Sequence, residues 1–87
     1  MLTIWKYPLL VTDEQTIEVP YEARFLTVQK QDKQPVLWAL VDPKNHKISK
    51  TIHIFGTGHE IPRDIGSYIS TFQMHEGMLI FHVFEGV

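Results

Sequence analysis

Val36-Leu37-Trp38-Ala39-Leu40-Val41 is the stretch on which the fold turns. No polar residue interrupts it, so it has no wet face of the kind an amphipathic strand shows. It is far too short to span a bilayer, which takes about 20 apolar residues in a helix. Asp42-Pro43-Lys44-Asn45 follows directly. Pro43 presets its own backbone angle and Asn45 tolerates left-handed backbone, so a tight turn is predicted there. A short apolar run cut off by such a turn reads as a central strand covered on both faces.

Working outward, most of the chain repeats with period 2. Trp5, Tyr7 and Leu9 share one face of Ile4 to Leu9, and Thr16 to Val19 is a short extended piece closed by Pro20. Arg24 to Lys30 is a strand closed by the polar turn Gln31-Asp32-Lys33-Gln34. Ile48, Lys50, Ile52 and Ile54 alternate with Ser49, Thr51, His53 and Phe55. A loop from Gly56 to Gly66 precedes two last strands, Ser67 to Met74 and Met78 to Phe84, joined by a turn at His75-Glu76-Gly77. Thr12-Asp13-Glu14-Gln15 has the form of a capping box, and one helical turn is predicted there. The expected fold is all-β and mainly antiparallel, with about six to seven strands. The last five strands should form a meander and the N-terminal strand should close or edge the sheet, giving a barrel-like or sandwich architecture.

Eighty-seven residues make one domain, 1–87. Eight basic against ten acidic side chains leave a net charge of −2, which argues against a dedicated nucleic-acid-wrapping or polybasic membrane protein. Lys44, Lys47 and Lys50 form a modest basic patch that a solvated turn explains. With no cysteine, neither disulfides nor a Cys-type zinc site can reinforce the fold. Apolar strand faces exceed what a small lone sheet can hide, so a homo-oligomer is expected. Met1 to Tyr7 lacks the order of a secretory signal, and a soluble, cytosolic protein is expected.

Gly56-Thr57-Gly58-His59, with Arg63 downstream, is the most distinctive segment. Glycines let successive N–H groups converge on an anion, while Thr57, His59 and Arg63 add a hydroxyl, a ring donor and a positive fork. Such a loop suits a phosphate or nucleotide-type small molecule, although a plain turn with a solvated histidine would look the same. It is neither a dinucleotide fingerprint nor a P-loop. Trp5 would stack on the base, and core or interface packing are its other readings. Trp38 is expected in the core. Five histidines, His46, His53, His59, His75 and His82, show no metal-ligand spacing, so no metal is expected. His53 and His82 should bond backbone carbonyls. No cofactor is implied, and no nucleophile motif is present. A His59–Asp64 pair would be needed for acid–base chemistry.

Four blocks, Trp5-Lys6-Tyr7, Leu37-Trp38-Ala39-Leu40-Val41-Asp42-Pro43, Gly56-Thr57-Gly58-His59 with Pro62, and Phe81-His82-Val83-Phe84-Glu85, occur in order along nearly the whole chain. Together they resemble a family of short, uncharacterised accessory proteins of tailed bacteriophages and prophages. The resemblance carries no catalytic residue. It implies a small phage protein working stoichiometrically in the host cytoplasm. By analogy with other small phage proteins, the expected role is non-enzymatic sequestration of an anionic nucleotide, such as a host immune signal. A virion-associated or protein-interaction module and a small nucleotide hydrolase are the alternatives.

Overall fold

A computed structural model describes all residues, 1–87. Seven strands form in chain order: β1 (Thr3–Pro8), β2 (Glu14–Pro20), β3 (Arg24–Gln31), β4 (Gln34–Val41), β5 (Lys47–Gly56), β6 (Ser67–Met74) and β7 (Leu79–Glu85). They make a three-stranded sheet, β1-β4-β3, and a four-stranded sheet, β2-β5-β7-β6. Every pairing is antiparallel. The chain is all-β, as its period-2 patterning predicts.

The apolar run is the middle strand of its sheet, with Val36, Leu37, Ala39 and Val41 buried. Val28 and Leu37 from one sheet meet Ile52, Ile54, Phe72 and Val83 from the other, and Leu9 enters the same cluster from the β1–β2 connection. One core therefore lies between the sheets. Each such side chain contributes about 1.5–3 kcal/mol on burial. Trp38 departs from expectation: it is half-buried and outside this cluster, on the opposite face of β4, with the Lys6 ammonium 5.9 Å from its ring centroid.

The expected meander does not form. Both edges of β4 are taken, by β1 and β3, so β5 has no place beside it and the Asp42–Asn45 turn carries the chain across to the second sheet. β7 lies between β5 and β6, so residues 57–66 are a crossover and not a hairpin. The helical turn at 12–15 is likewise absent. The Gln15 side-chain amide clamps the backbone of Leu10 instead, donating to its carbonyl at 2.6 Å and accepting from its N–H at 3.1 Å. The Thr12 hydroxyl donates to the Glu14 carbonyl at 3.2 Å, and the strand starts at Glu14.

The sheets come together along β3 and β6 without backbone pairing. Ser70 Oγ spans that seam, donating to the Val28 carbonyl at 3.0 Å and lying 3.2 Å from Thr27 Oγ1. A bulge between Tyr68 and Ser70 lets Ile69 pack on the core while Tyr68 keeps to the outer face.

Candidate functional site

Two-residue alternation gives the four-stranded sheet an outer face of defined composition. Register places His53 opposite Phe84, Phe55 opposite His82, Tyr68 opposite Phe84 and Thr71 opposite His82. The rings form a ladder. His53 stacks on Phe55 at 6.1 Å, and Phe84 meets Phe55 at 6.1 Å and Tyr68 at 5.7 Å, both edge-on. Such pairs contribute about 0.5–1.5 kcal/mol each beyond area burial.

Through this face runs a hydrogen-bonded relay. His82 Nε2 lies 2.7 Å from Thr57 Oγ1, His82 Nδ1 lies 3.0 Å from Thr71 Oγ1, and Tyr68 OH lies 2.7 Å from Thr71 Oγ1. Thr57 Oγ1 also donates to the Ile80 carbonyl at 3.5 Å. One proton arrangement satisfies all of these: Tyr68 donates to Thr71, Thr71 to His82 Nδ1, His82 Nε2–H to Thr57, and Thr57 to Ile80. Both imidazole nitrogens are thus engaged by threonine hydroxyls, not by the expected backbone carbonyl. His53 also departs from that expectation, lying 3.8 Å from Glu14 through Nδ1.

The loop expected to cradle an anion is occupied with its own bonds. Thr57 N–H donates to the Ile80 carbonyl at 3.2 Å and His59 N–H to the Gly56 carbonyl at 3.1 Å. The His59 ring rests against Gly56, where a Cβ would come within 3.1 Å of it. At the far end Gly66 has φ +108°, and a Cβ there would collide with the Glu85 carbonyl. Only glycine lets the crossover pass so close to β7.

Gly56, Thr57 and His59 do share one depression of about 250 Å³, completed by Met78, Leu79, Ile80 and Phe81. Arg63 is exposed, makes no ion pair, and lies outside that depression. Asp64 lines a different cavity, with Glu14, Thr51 and His53, so the His59–Asp64 pair is not assembled in one pocket. Trp5 is half-buried in β1, on the edge of the other sheet, and lines neither cavity.

Sequence reading missed Thr71 and the Met78–Ile80 run, and marked Tyr68 only as an aromatic that could stack on a base. Their faces follow from period 2, but their partners depend on a register set by a crossover and a bulge. An ionisable group shifted by its environment lies elsewhere. Burial pushes the Tyr7 hydroxyl above its ordinary value of 10.0, and its oxygen has no hydrogen-bond partner.

No curated protein and no solved structure matches this chain. Residues 1–87 match a domain of unknown function, DUF7352, and the chain belongs to that family.

Proposed function

We propose that the protein is a non-enzymatic binding module that docks on another protein through the β6–β7 hairpin end of the four-stranded sheet. One observation carries this reading. Met78, Leu79 and Ile80 are consecutive and remain 84, 45 and 37% exposed, around the depression that holds Thr57 and His59. Contiguous exposed apolar side chains rimmed by polar groups are the usual signature of an interaction surface. The chain exposes 5994 Å², against about 5,300 Å² for a typical monomer of its mass. That surplus supports a surface covered by a partner or by a second copy. The setting that goes with this reading is the phage accessory role in the host cytoplasm.

A second reading, a nucleotide-type ligand, is favoured by the shared placement of Gly56, Thr57 and His59 on a depression large enough for one planar base.

Co-purification from infected cells tests the first reading. A partner held by the wild type should be lost with Met78→Asp/Ile80→Asp and kept with His59→Ala/Arg63→Ala. The opposite pattern would remove the docking reading. Calorimetry against cyclic and ADP-ribose-type nucleotides tests the second, and no heat at high micromolar concentration would end it.

A further inference from the structure

On the other side of the same hairpin, the seam between β3 and β6 opens into two adjoining cavities. One, of about 390 Å³, runs along Gln29, Lys30, Thr71 and Gln73. The other, of about 350 Å³, lies between the β3–β4 and β6–β7 hairpin tips and is lined by Lys30, Lys33, Met74, His75 and Glu76. Lys30 and Glu76 border both.

The backbone at the mouth of this seam is unpaired. The Val28 carbonyl points across the seam, because Ser70 Oγ donates to it. Strand alternation turns the Lys30 N–H and carbonyl the same way. The partner strand gives the same answer independently. Lys30 stands opposite Pro35, whose carbonyl is turned towards β1 and accepts from Leu9 N–H at 2.9 Å. Lys30 must therefore face outward from the β3–β4 pair, and its backbone has no partner within the protein. Lys30 and Lys33 make no ion pair either. At His75 and Glu76 the turn holds two successive non-glycine residues at φ +53° and +56°, with Gly77 N–H donating to the Met74 carbonyl. That geometry belongs to Asn-Gly turns, and non-glycine residues held there are strained in a way that recurs at functional sites.

We propose that the β3–β6 seam is a strand-addition site for an extended acidic segment of a partner protein. The segment lies along β3, accepts from Lys30 N–H and donates to the Lys30 carbonyl. Its carboxylates meet the Lys30 and Lys33 ammonium groups and the His75 ring, and these two lysines outnumber the one carboxylate on the same lining, Glu76. Main-chain bonds supply affinity and alternate side chains supply specificity in this mode. The inference rests on the docking reading for its class of partner, but uses different residues.

A fluorescein-labelled hexaglutamate peptide tests it by anisotropy against the full chain. Saturable binding is expected. It should weaken at least tenfold with Lys30→Glu/Lys33→Glu, weaken with added salt, and stay unchanged with Lys44→Glu/Lys47→Glu in the distant turn. A hexaglutamate methylated on alternate backbone nitrogens should also bind at least tenfold more weakly. No binding by the wild type, equal loss in both lysine pairs, or indifference to methylation would each overturn the proposal. So would competition by inorganic phosphate at concentrations where sodium chloride of equal ionic strength has no effect. Binding that survives Met78→Asp/Ile80→Asp separates this site from the apolar one, so either can fail alone.

Discussion

The crossover 57–66 and the hairpin tip 75–78 lie on either side of β7, and they differ in which residues they hold at positive φ. The crossover places glycine where φ is positive, at Gly58 and Gly66, and bonds the Thr57 and His59 amides and the Thr57 hydroxyl within the protein. The tip has one glycine at positive φ, Gly77, but also holds His75 and Glu76 left-handed, and it leaves His75, Glu76 and Met78 exposed. Glycine and histidine in the crossover suggest a binding loop, and there two of the loop's amides are already bonded within the protein. The tip has the composition of an ordinary polar turn, yet it carries the strain, the free charges and the open apolar surface. A residue type suited to binding marks a site only when the fold has not already used its bonding groups.

The sharpest way to break this contrast is Gly66→Ala. A Cβ against the Glu85 carbonyl at a positive φ should cost about 3 kcal/mol or more. Urea unfolding should show that loss, and an unchanged midpoint would mean that the crossover is not held as described. Next comes His82→Ala, which breaks the relay at its centre and should cost about 1–2 kcal/mol. Thr71→Val, which keeps the shape and removes one link, should cost less than His82→Ala in the same assay. The tip should respond in the other direction. His75→Asn/Glu76→Gly suits the turn, and a gain of about 1 kcal/mol is expected from thermal melting. A loss there would show that the left-handed tip is relaxed.

The smallest effect concerns Tyr7, the opposite of Tyr68 in having a buried hydroxyl and no partner. Tyr7→Phe should leave stability within about 0.5 kcal/mol of the wild type near neutral pH, or raise it slightly. Alkali should separate the two proteins. Burial raises the folded-state value of Tyr7 above 10.0. Below the unfolded value both states keep the proton and the group adds no pH dependence. Above it the unfolded state releases the proton first, so stability falls as pH rises through the folded value. Urea midpoints between about pH 9 and 11 should fall more steeply for the wild type than for Tyr7→Phe. An equal fall in both would remove the assignment.

Strand positions were legible because alternation and turn chemistry are local. Val36 to Val41, Ile48 to Phe55 and the turns at Asp42–Asn45 and His75–Gly77 stand where their residues predict. Topology was not legible, because it depends on which edges are already filled. Nothing near Asp42 announces that β1 occupies the edge β5 would need. The capping box at Thr12 failed for a related reason: Gln15 found the Leu10 backbone, a partner outside the helical pattern. The candidate site was half legible. Gly56, Thr57 and His59 do gather on one depression, while Trp5 and Arg63 do not join them. The His82 relay depends on cross-strand register, which a bulge in β6 shifts by one residue.

The sheet order also bears on how the chain is made. Only β3–β4 and β6–β7 are neighbours both in the chain and in a sheet. β1 and β2 leave the ribosome before β4 and β5, the strands they pair with, have been synthesised. Until then the apolar faces around Tyr7, Ile17 and Val19 stand uncovered. Each of these waiting strands ends in a proline, Pro8 or Pro20, which lacks the N–H needed to extend a ladder onto a neighbouring chain. Those two residues act as temporal guards, most useful in a crowded cell before the native sheets exist.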